Sequence, residues 1–429
     1  MTEIETNSAS PPAKSAKRGA ITVVLITVLL DAVSFSIIMP IMPNLIHELT
    51  GEGLSQAATI GGWLLFVFAA VQFLSAPLLG ALSDRYGRRP VLLYSLFAFG
   101  VDYMIMGLAP SLTWLFLGRI LSGIPGASWT PAYAYTADVS THDNRARNFA
   151  LVGAAFSCGF IIGPAFGGLL GLLGSRAPFI AAAALAFGNF TLGFFVLKES
   201  LPKASRRAFE WRRANPIGAL LQLRKHPQVL GLAVVLTMWF LALQAYPASW
   251  AFYTAYRFGW TPALIGLSLA AYGAVIAFSQ ARLAKPVLSR WGEKRTSLYG
   301  LLLASVAFFG QGFAAEGWQV FVFIPLWLIA ALAMPTINAM MSTRIPMDAQ
   351  GELQGANASL ASISAIIGPI MVTQLFGAFS GPGAPVDFPG APFVVGGFIT
   401  ILSAGLLVRA LRRSTITAET HRTADAVED

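Results

Sequence analysis

Gly80-Ala81-Leu82-Ser83-Asp84-Arg85-Tyr86-Gly87-Arg88-Arg89-Pro90 stands between two long apolar runs. A looser copy, Pro286-Val287-Leu288-Ser289-Arg290-Trp291-Gly292-Glu293-Lys294-Arg295, lies 205 residues further on, with Arg290 in the place of Arg85. Ile161-Ile162-Gly163-Pro164 recurs at the same offset as Ile366-Ile367-Gly368-Pro369. Two unrelated stretches sharing one offset divide the chain into two similarly built, parallel halves.

Hydrophobic residues make up 55% of the 429, charged residues only 11%, and mean hydropathy is +0.65. Soluble domains carry roughly 25% charged residues, so most of this chain belongs in lipid. The apolar runs are long and unbroken, which points to helices, since each helix satisfies its own backbone in a bilayer. We place twelve spans near 20–42, 58–81, 90–109, 112–138, 148–172, 178–197, 228–255, 262–286, 296–315, 318–343, 352–379 and 391–412. The expected architecture is an all-α integral membrane fold of two six-helix bundles, 20–197 and 228–412. A basic linker at 198–227 joins them, with tails at 1–19 and 413–429. The first tail reads as disordered, and it precedes a full-length span instead of the short core of a cleaved signal peptide.

With the amino terminus in the cytoplasm, 26 of the 29 Lys and Arg fall on the cytoplasmic side. That asymmetry is the positive-inside rule. It absorbs the net charge of +9 with no need of a nucleic acid, and it puts both termini of a multi-pass protein in the cytoplasm. Cys158 is the only cysteine; no intramolecular disulfide can form, and a small packing role inside the fifth span is expected of it.

Few charges lie deep in spans. Asp31, about 11 residues into the first, sits roughly 16 Å from its cytoplasmic end, and Asp102 in the third roughly 18 Å. Arg119 in the fourth falls roughly 20 Å from that face, so the three can share one layer. Each costs about 2.5–3.5 kcal/mol on insertion scales, a cost a static ion pair or a proton-carrying carboxylate would justify. For Asp31 the second role is the stronger expectation, because acids inside membranes mark ion pathways. Asp138 reads as a solvated span end. The second half shows no acid inside a span and offers shape through Gln244, Tyr246, Trp250, Tyr253, Gln280, Trp327 and Asn338, residues that also pack ordinary cores.

The loop itself reads as a latch holding one arrangement of the halves. Gly87 allows a tight turn, Asp84 can accept from backbone amides or from an arginine of the other half, and Arg85, Arg88 and Arg89 add the basic charge. Gly80 begins the stretch, and Gly163-Pro164 would let the fifth span bend.

These motifs resemble the major facilitator superfamily and its drug/proton antiporter branch with twelve helices. Gly80 to Pro90 matches the signature between helices two and three. Gly159, Gly163, Pro164, Gly167 and Gly168 match the fifth-helix antiporter motif, and Gly118-Arg119 through Gly123 matches the fourth-helix arginine motif. Asp31 with Pro40 and Pro43 resembles the first-helix motif. Leu30-Asp31-Ala32-Val33, Val71-Gln72-Phe73, Val101-Asp102-Tyr103 and Gly351-Glu352-Leu353-Gln354-Gly355 resemble pieces of the bacterial tetracycline/proton antiporters. The resemblance implies export of an amphipathic drug or metabolite against protons, with Asp31 and Asp102 in coupling and Gln72 in the drug site. Two departures stand out. Ile276 occupies the place of that family's helix-eight histidine, and Ala304 that of its helix-nine aspartate.

A proton-driven exporter of the inner membrane is therefore expected, probed against a facilitator, an importer or a transport-inactive receptor on the same scaffold. It would be a monomer that uses the proton gradient in place of any cofactor and holds no metal. Signatures of hydrolases, metalloproteases or phosphate-binding enzymes are absent from the sequence, so enzymatic activity is not expected.

Overall fold

The computed structural model describes residues 14–141, 144–207, 226–346 and 349–428. Every regular element among them is helical. Ten stretches are long and apolar enough to cross a membrane, and two features raise the number to twelve. Pro262–Gly312, 51 residues long, is two crossings, because Gly292 leaves helical geometry at φ 68° and ψ 171°. Leu112–Gly123 continues through a 3-10 turn at Pro125–Ser128 into Trp129–Val139; Pro125 cannot donate to the preceding turn, so the fourth crossing is broken there. The chain is thus an all-α membrane fold of twelve spans.

Proline shapes other crossings in the same way. Pro77, Pro164 and Pro369 lie inside long helices, while Pro40 and Pro325 sit in 3-10 turns at Met39–Ile41 and Ile324–Leu326. In lipid such breaks persist because neighbouring helices satisfy the freed carbonyls.

The ends differ from expectation. The first helix opens at Lys14, so 14–19 of the expected tail are helical, and 1–13 lie outside the described residues. The last helix, Ala391–Glu428, continues through the tail to which the sequence assigned no structure. Extending an existing helix needs no new nucleus, and the Ala, Glu and Arg of that stretch favour it. Of the linker, a 3-10 turn at Lys203–Ser205 is seen; Arg212, Arg213, Arg224 and Lys225 lie outside the described residues. Cys158 is exposed and does not pack as expected.

The halves meet through two related seams. A Cβ on Gly266, in the eighth span, would strike the Pro164 carbonyl of the fifth. A Cβ on Gly62, in the second, would lie 3.2 Å from the Pro369 carbonyl of the eleventh and collide with Thr373. Only glycine allows such approach. The repeat thus relates contacts as well as motifs, with the two prolines at the 205-residue offset and the two glycines one residue short of it. Ser55 closes the second seam by donating to the carbonyls of Gly377 at 3.0 Å and Ser380 at 2.8 Å. All these contacts lie away from the Gly87 and Gly292 turns.

Candidate functional site

Asp31 lies in a cavity of about 170 Å³ in the first half, with Gln72 and Gly126. Phe35, Phe68, Phe99, Phe156 and Phe160 make up the rest of its wall. The helical period builds this wall: Phe35 is one turn beyond Asp31, Phe68 one turn before Gln72, and Phe156 one turn before Phe160. The rings brace one another, Phe35 with Phe68 at 5.6 Å, Phe35 with Phe160 at 5.7 Å and Phe156 with Phe160 at 4.6 Å. Gln72 Nε2 donates to the Gly126 carbonyl at 2.6 Å. That bond fixes the amide and uses a donor, so the cavity's polar groups are chiefly acceptors, the Asp31 carboxylate and Gln72 Oε1.

Beside it lies the second acid. Asp102 is 1% exposed and Arg119 4%, and Arg119 is the cation acting on Asp102. They form no ion pair within 4 Å, and both Asp102 oxygens and Arg119 Nε are buried without a hydrogen-bond partner. The Ser122 hydroxyl beside Asp102 is turned to the Arg119 carbonyl at 3.3 Å. Arg119 instead lies over the Phe68 ring at 5.7 Å, a cation–π contact. Gly118 makes room for this layer, since a Cβ there would sit 2.8 Å from Asp102 Oδ1. Asp31, Asp102 and Arg119 all act on the buried Tyr103 hydroxyl, so the structure brings the expected layer together around a tyrosine that sequence reasoning missed.

Arg119 also lines a smaller cavity, about 50 Å³, reaching the second half at Pro247, Ala248, Ala251 and Phe252. Phe35 borders both cavities and so forms part of the partition between them.

The loop is ordered by a network of the first half and the start of the linker. Arg88 pairs with Asp84 and, at 3.2 Å, with Asp138, which is therefore not simply solvated. The Arg88 amide donates to Glu199 Oε1 at 2.9 Å, and Glu199 lies 3.8 Å from Arg206. Arg89 donates to the carbonyls of Phe194 and Leu197, both at 2.7 Å. The Arg207 amide returns to the Asp84 carbonyl at 3.2 Å. Gly87, at φ 108° and ψ 160°, leaves no room for a Cβ beside Glu199. Arg85 is exposed, over the Tyr86 ring at 5.2 Å, and Gly80 is half-buried in the second span. No partner of Asp84 comes from the second half among the described residues, so the expected tie to an arginine there is not made in this conformation. Gly163 packs on Ser36 and the Val33 carbonyl of the first span, a packing role joined to the bend at Pro164.

In the second half the expected binding residues do not converge. Tyr246 and Trp250 are buried at 5% and 2% exposure. The Tyr246 hydroxyl donates to Gln311 Oε1 and its ring stacks on Tyr272 at 4.4 Å, while Trp250 Nε1 donates to Ser268 Oγ at 2.9 Å. Both are core, as are Tyr253 and Trp327. Gln244 packs against Gly368, Gln280 is exposed in a π turn at Ser279–Leu283, and Asn338 accepts from Asn357 Nδ2 at 2.9 Å. Apolar-to-aromatic runs in a sequence do not reveal which ring faces a core and which a cavity; the i, i+4 placement of Phe beside Asp31 and Gln72 was the usable signal.

The profile of the Major Facilitator Superfamily matches residues 24–369 and 247–426. The tetracycline resistance protein, class C, of Escherichia coli is 39% identical over 93% of this chain and 99% of its own length. Multidrug resistance protein 2 of Bacillus subtilis is 28% identical over 90% of this chain and 93% of its own. Among solved structures, a bacterial homolog of the human lysosomal transporter Spinster, in its inward-facing and unoccupied conformation, superposes with a TM-score of 0.77 at 15% identity, covering 93% of this chain and 98% of that one. The fold, the two related seams and these matches make the chain a member of the Major Facilitator Superfamily.

Proposed function

We propose that the chain exports small amphipathic compounds, tetracycline-like drugs among the candidates, in exchange for protons by alternating access. The observation that carries this reading is the Asp31 carboxylate in a phenylalanine-walled cavity next to the unpaired Asp102–Arg119 layer. An ionised carboxyl without partners in a low-dielectric interior costs several kcal/mol. Gain or loss of a proton there can therefore shift a conformational equilibrium of comparable size. Resistance proteins for tetracycline at 39% identity support the export direction and the drug class.

The basic turns belong in the cytoplasm by their charge, and the seams close the opposite side, so this conformation is read as inward-facing. At about 170 Å³ the cavity is smaller than the roughly 300–1,000 Å³ of drug-sized sites, so a drug-sized compound requires it to widen. The energy comes from the proton gradient, with no cofactor, and a monomer in the inner membrane suffices. Ile276 and Ala304 leave no histidine or carboxylate at those positions of the second half, so exchange is expected without a divalent cation.

The test is compound-induced proton release in everted vesicles, wild type against Asp31→Asn, across a panel containing tetracycline and without added magnesium. Release by the wild type and its loss in the variant, at normal membrane abundance, is the expected result. Substrate accumulation that ignores the proton gradient would leave a facilitator, and binding with no flux at all would leave a receptor.

A further inference from the structure

At the turn side of the second half, a groove of about 260 Å³ runs between the ninth and twelfth spans. Its rim carries Lys294, Arg295 and Arg412, all exposed, and its floor is Leu298, Leu407, Val408 and Leu411. No acid lines it. Among the described residues no ion pair or side-chain hydrogen bond engages the three cations.

The first half shows why Lys294 has no such partner among the described residues. Lys294 occupies, at the 205-residue offset, the position of Arg89. Arg89 is held by the carbonyls of Phe194 and Leu197, because the sixth span stops at Val196 and the last carbonyls of a helix lack partners. The twelfth span does not stop there. Its helix runs from Ala391 to Glu428, so the carbonyls near Leu407 and Arg412 are bonded along the helix and offer Lys294 nothing. The cation that caps a helix in one half is left facing an apolar groove in the other.

We propose that this groove binds an anionic phospholipid, its phosphate between Lys294, Arg295 and Arg412 and its first acyl carbons on the leucine and valine floor. The place fits the chemistry. The spans end here, at headgroup depth, and a basic pocket between helix ends on the basic side of a membrane protein is complementary to anionic headgroups. The long Lys and Arg stems can lie along the apolar floor while their heads reach the phosphate.

The experiment uses the full chain purified in detergent, with thermal unfolding followed as phosphatidylglycerol, phosphatidylcholine or inorganic phosphate is added. Phosphatidylglycerol should stabilise the protein saturably where phosphatidylcholine and phosphate do not. The triple variant Lys294→Gln, Arg295→Gln, Arg412→Gln should raise the half-saturating concentration by about fivefold per cation removed. A triple of equal charge change outside the groove, Arg282→Gln, Lys285→Gln, Arg290→Gln, should leave it unchanged. Lys294→Gln alone gives the single step if the triple variant fails to insert. Equal loss in both triples means diffuse surface electrostatics and overturns the proposal. So does stabilisation by inorganic phosphate alone, which would make the groove a simple anion site, or equal stabilisation by phosphatidylcholine.

Discussion

Gly87 and Gly292 stand 205 residues apart in the two halves and share one backbone state, φ 108° and ψ 160° in the first, φ 68° and ψ 171° in the second. Around that shared geometry the halves differ. Gly87 is hemmed in by Glu199 and Arg206, whereas a Cβ on Gly292 would meet nothing within 4 Å. Arg88 has two carboxylate partners; the residue at its offset is Glu293, of opposite charge, which acts on Arg344 without an ion pair within 4 Å. Burial pushes the Arg344 guanidinium down and Glu293 acts in the opposite direction. The repeat has kept the turn, which topology requires, and changed what surrounds it. In the first half the surroundings lock the turn to the linker and the fourth span; in the second they leave it open to solvent and lipid.

The largest expected effect separates strain from clamp. This region of backbone space is close to glycine-only and costs about 1–3 kcal/mol for other residues. Gly292→Ala should lose about 1–2 kcal/mol of unfolding free energy, from strain alone. Gly87→Ala should lose about 3 kcal/mol, because its Cβ also displaces the Glu199 carboxylate from the Arg88 amide. Denaturant unfolding of both in the same detergent decides it. Equal losses would mean that the Glu199 clamp contributes nothing and that the halves differ only on paper.

A smaller effect sharpens the contrast in charge. A double-mutant cycle on Arg88→Ala and Asp138→Ala should give a coupling of about 1 kcal/mol, since the Arg88 side chain is only 11% exposed and charged hydrogen bonds of this kind are worth about 1.5–3 kcal/mol before screening. The cycle on Glu293→Ala and Arg344→Ala should fall below about 0.5 kcal/mol, as for other solvent-reached pairs. A second-half coupling as large as the first would make both turns latches of equal standing.

Much of this was legible in the residues. The repeat named the two turns, the apolar runs gave the spans, and depth counting put Asp31, Asp102 and Arg119 in one layer. Three things were not. Asp84 was read as accepting from backbone amides or from an arginine of the other half, but its side-chain partner is Arg88 in its own; a motif does not say which conformation its loop is caught in. Asp138 looked like a solvated end, yet it sits where Arg88 and Ser200 converge, a meeting of segments 50 and 62 residues away in sequence that no local pattern encodes. The second-half aromatics were offered as shape around a ligand or as ordinary core, and they are packed against one another; the sequence could not choose, because burial depends on which helices flank them.

That last difference has the sharpest use. The first half holds its polar groups around a space; the second packs Tyr246, Tyr272, Phe308 and Trp327 in one ring cluster. Tyr246→Phe removes the hydroxyl that donates to Gln311 while keeping every ring contact. It should cost about 1 kcal/mol of stability, the net worth of a hydrogen bond, with the apparent affinity for any exported compound unchanged. If apparent affinity falls severalfold at unchanged stability, Tyr246 touches substrate in a conformation other than this one. The second half would then open during the cycle and take part in binding, and its ring cluster would be a closed site instead of a core.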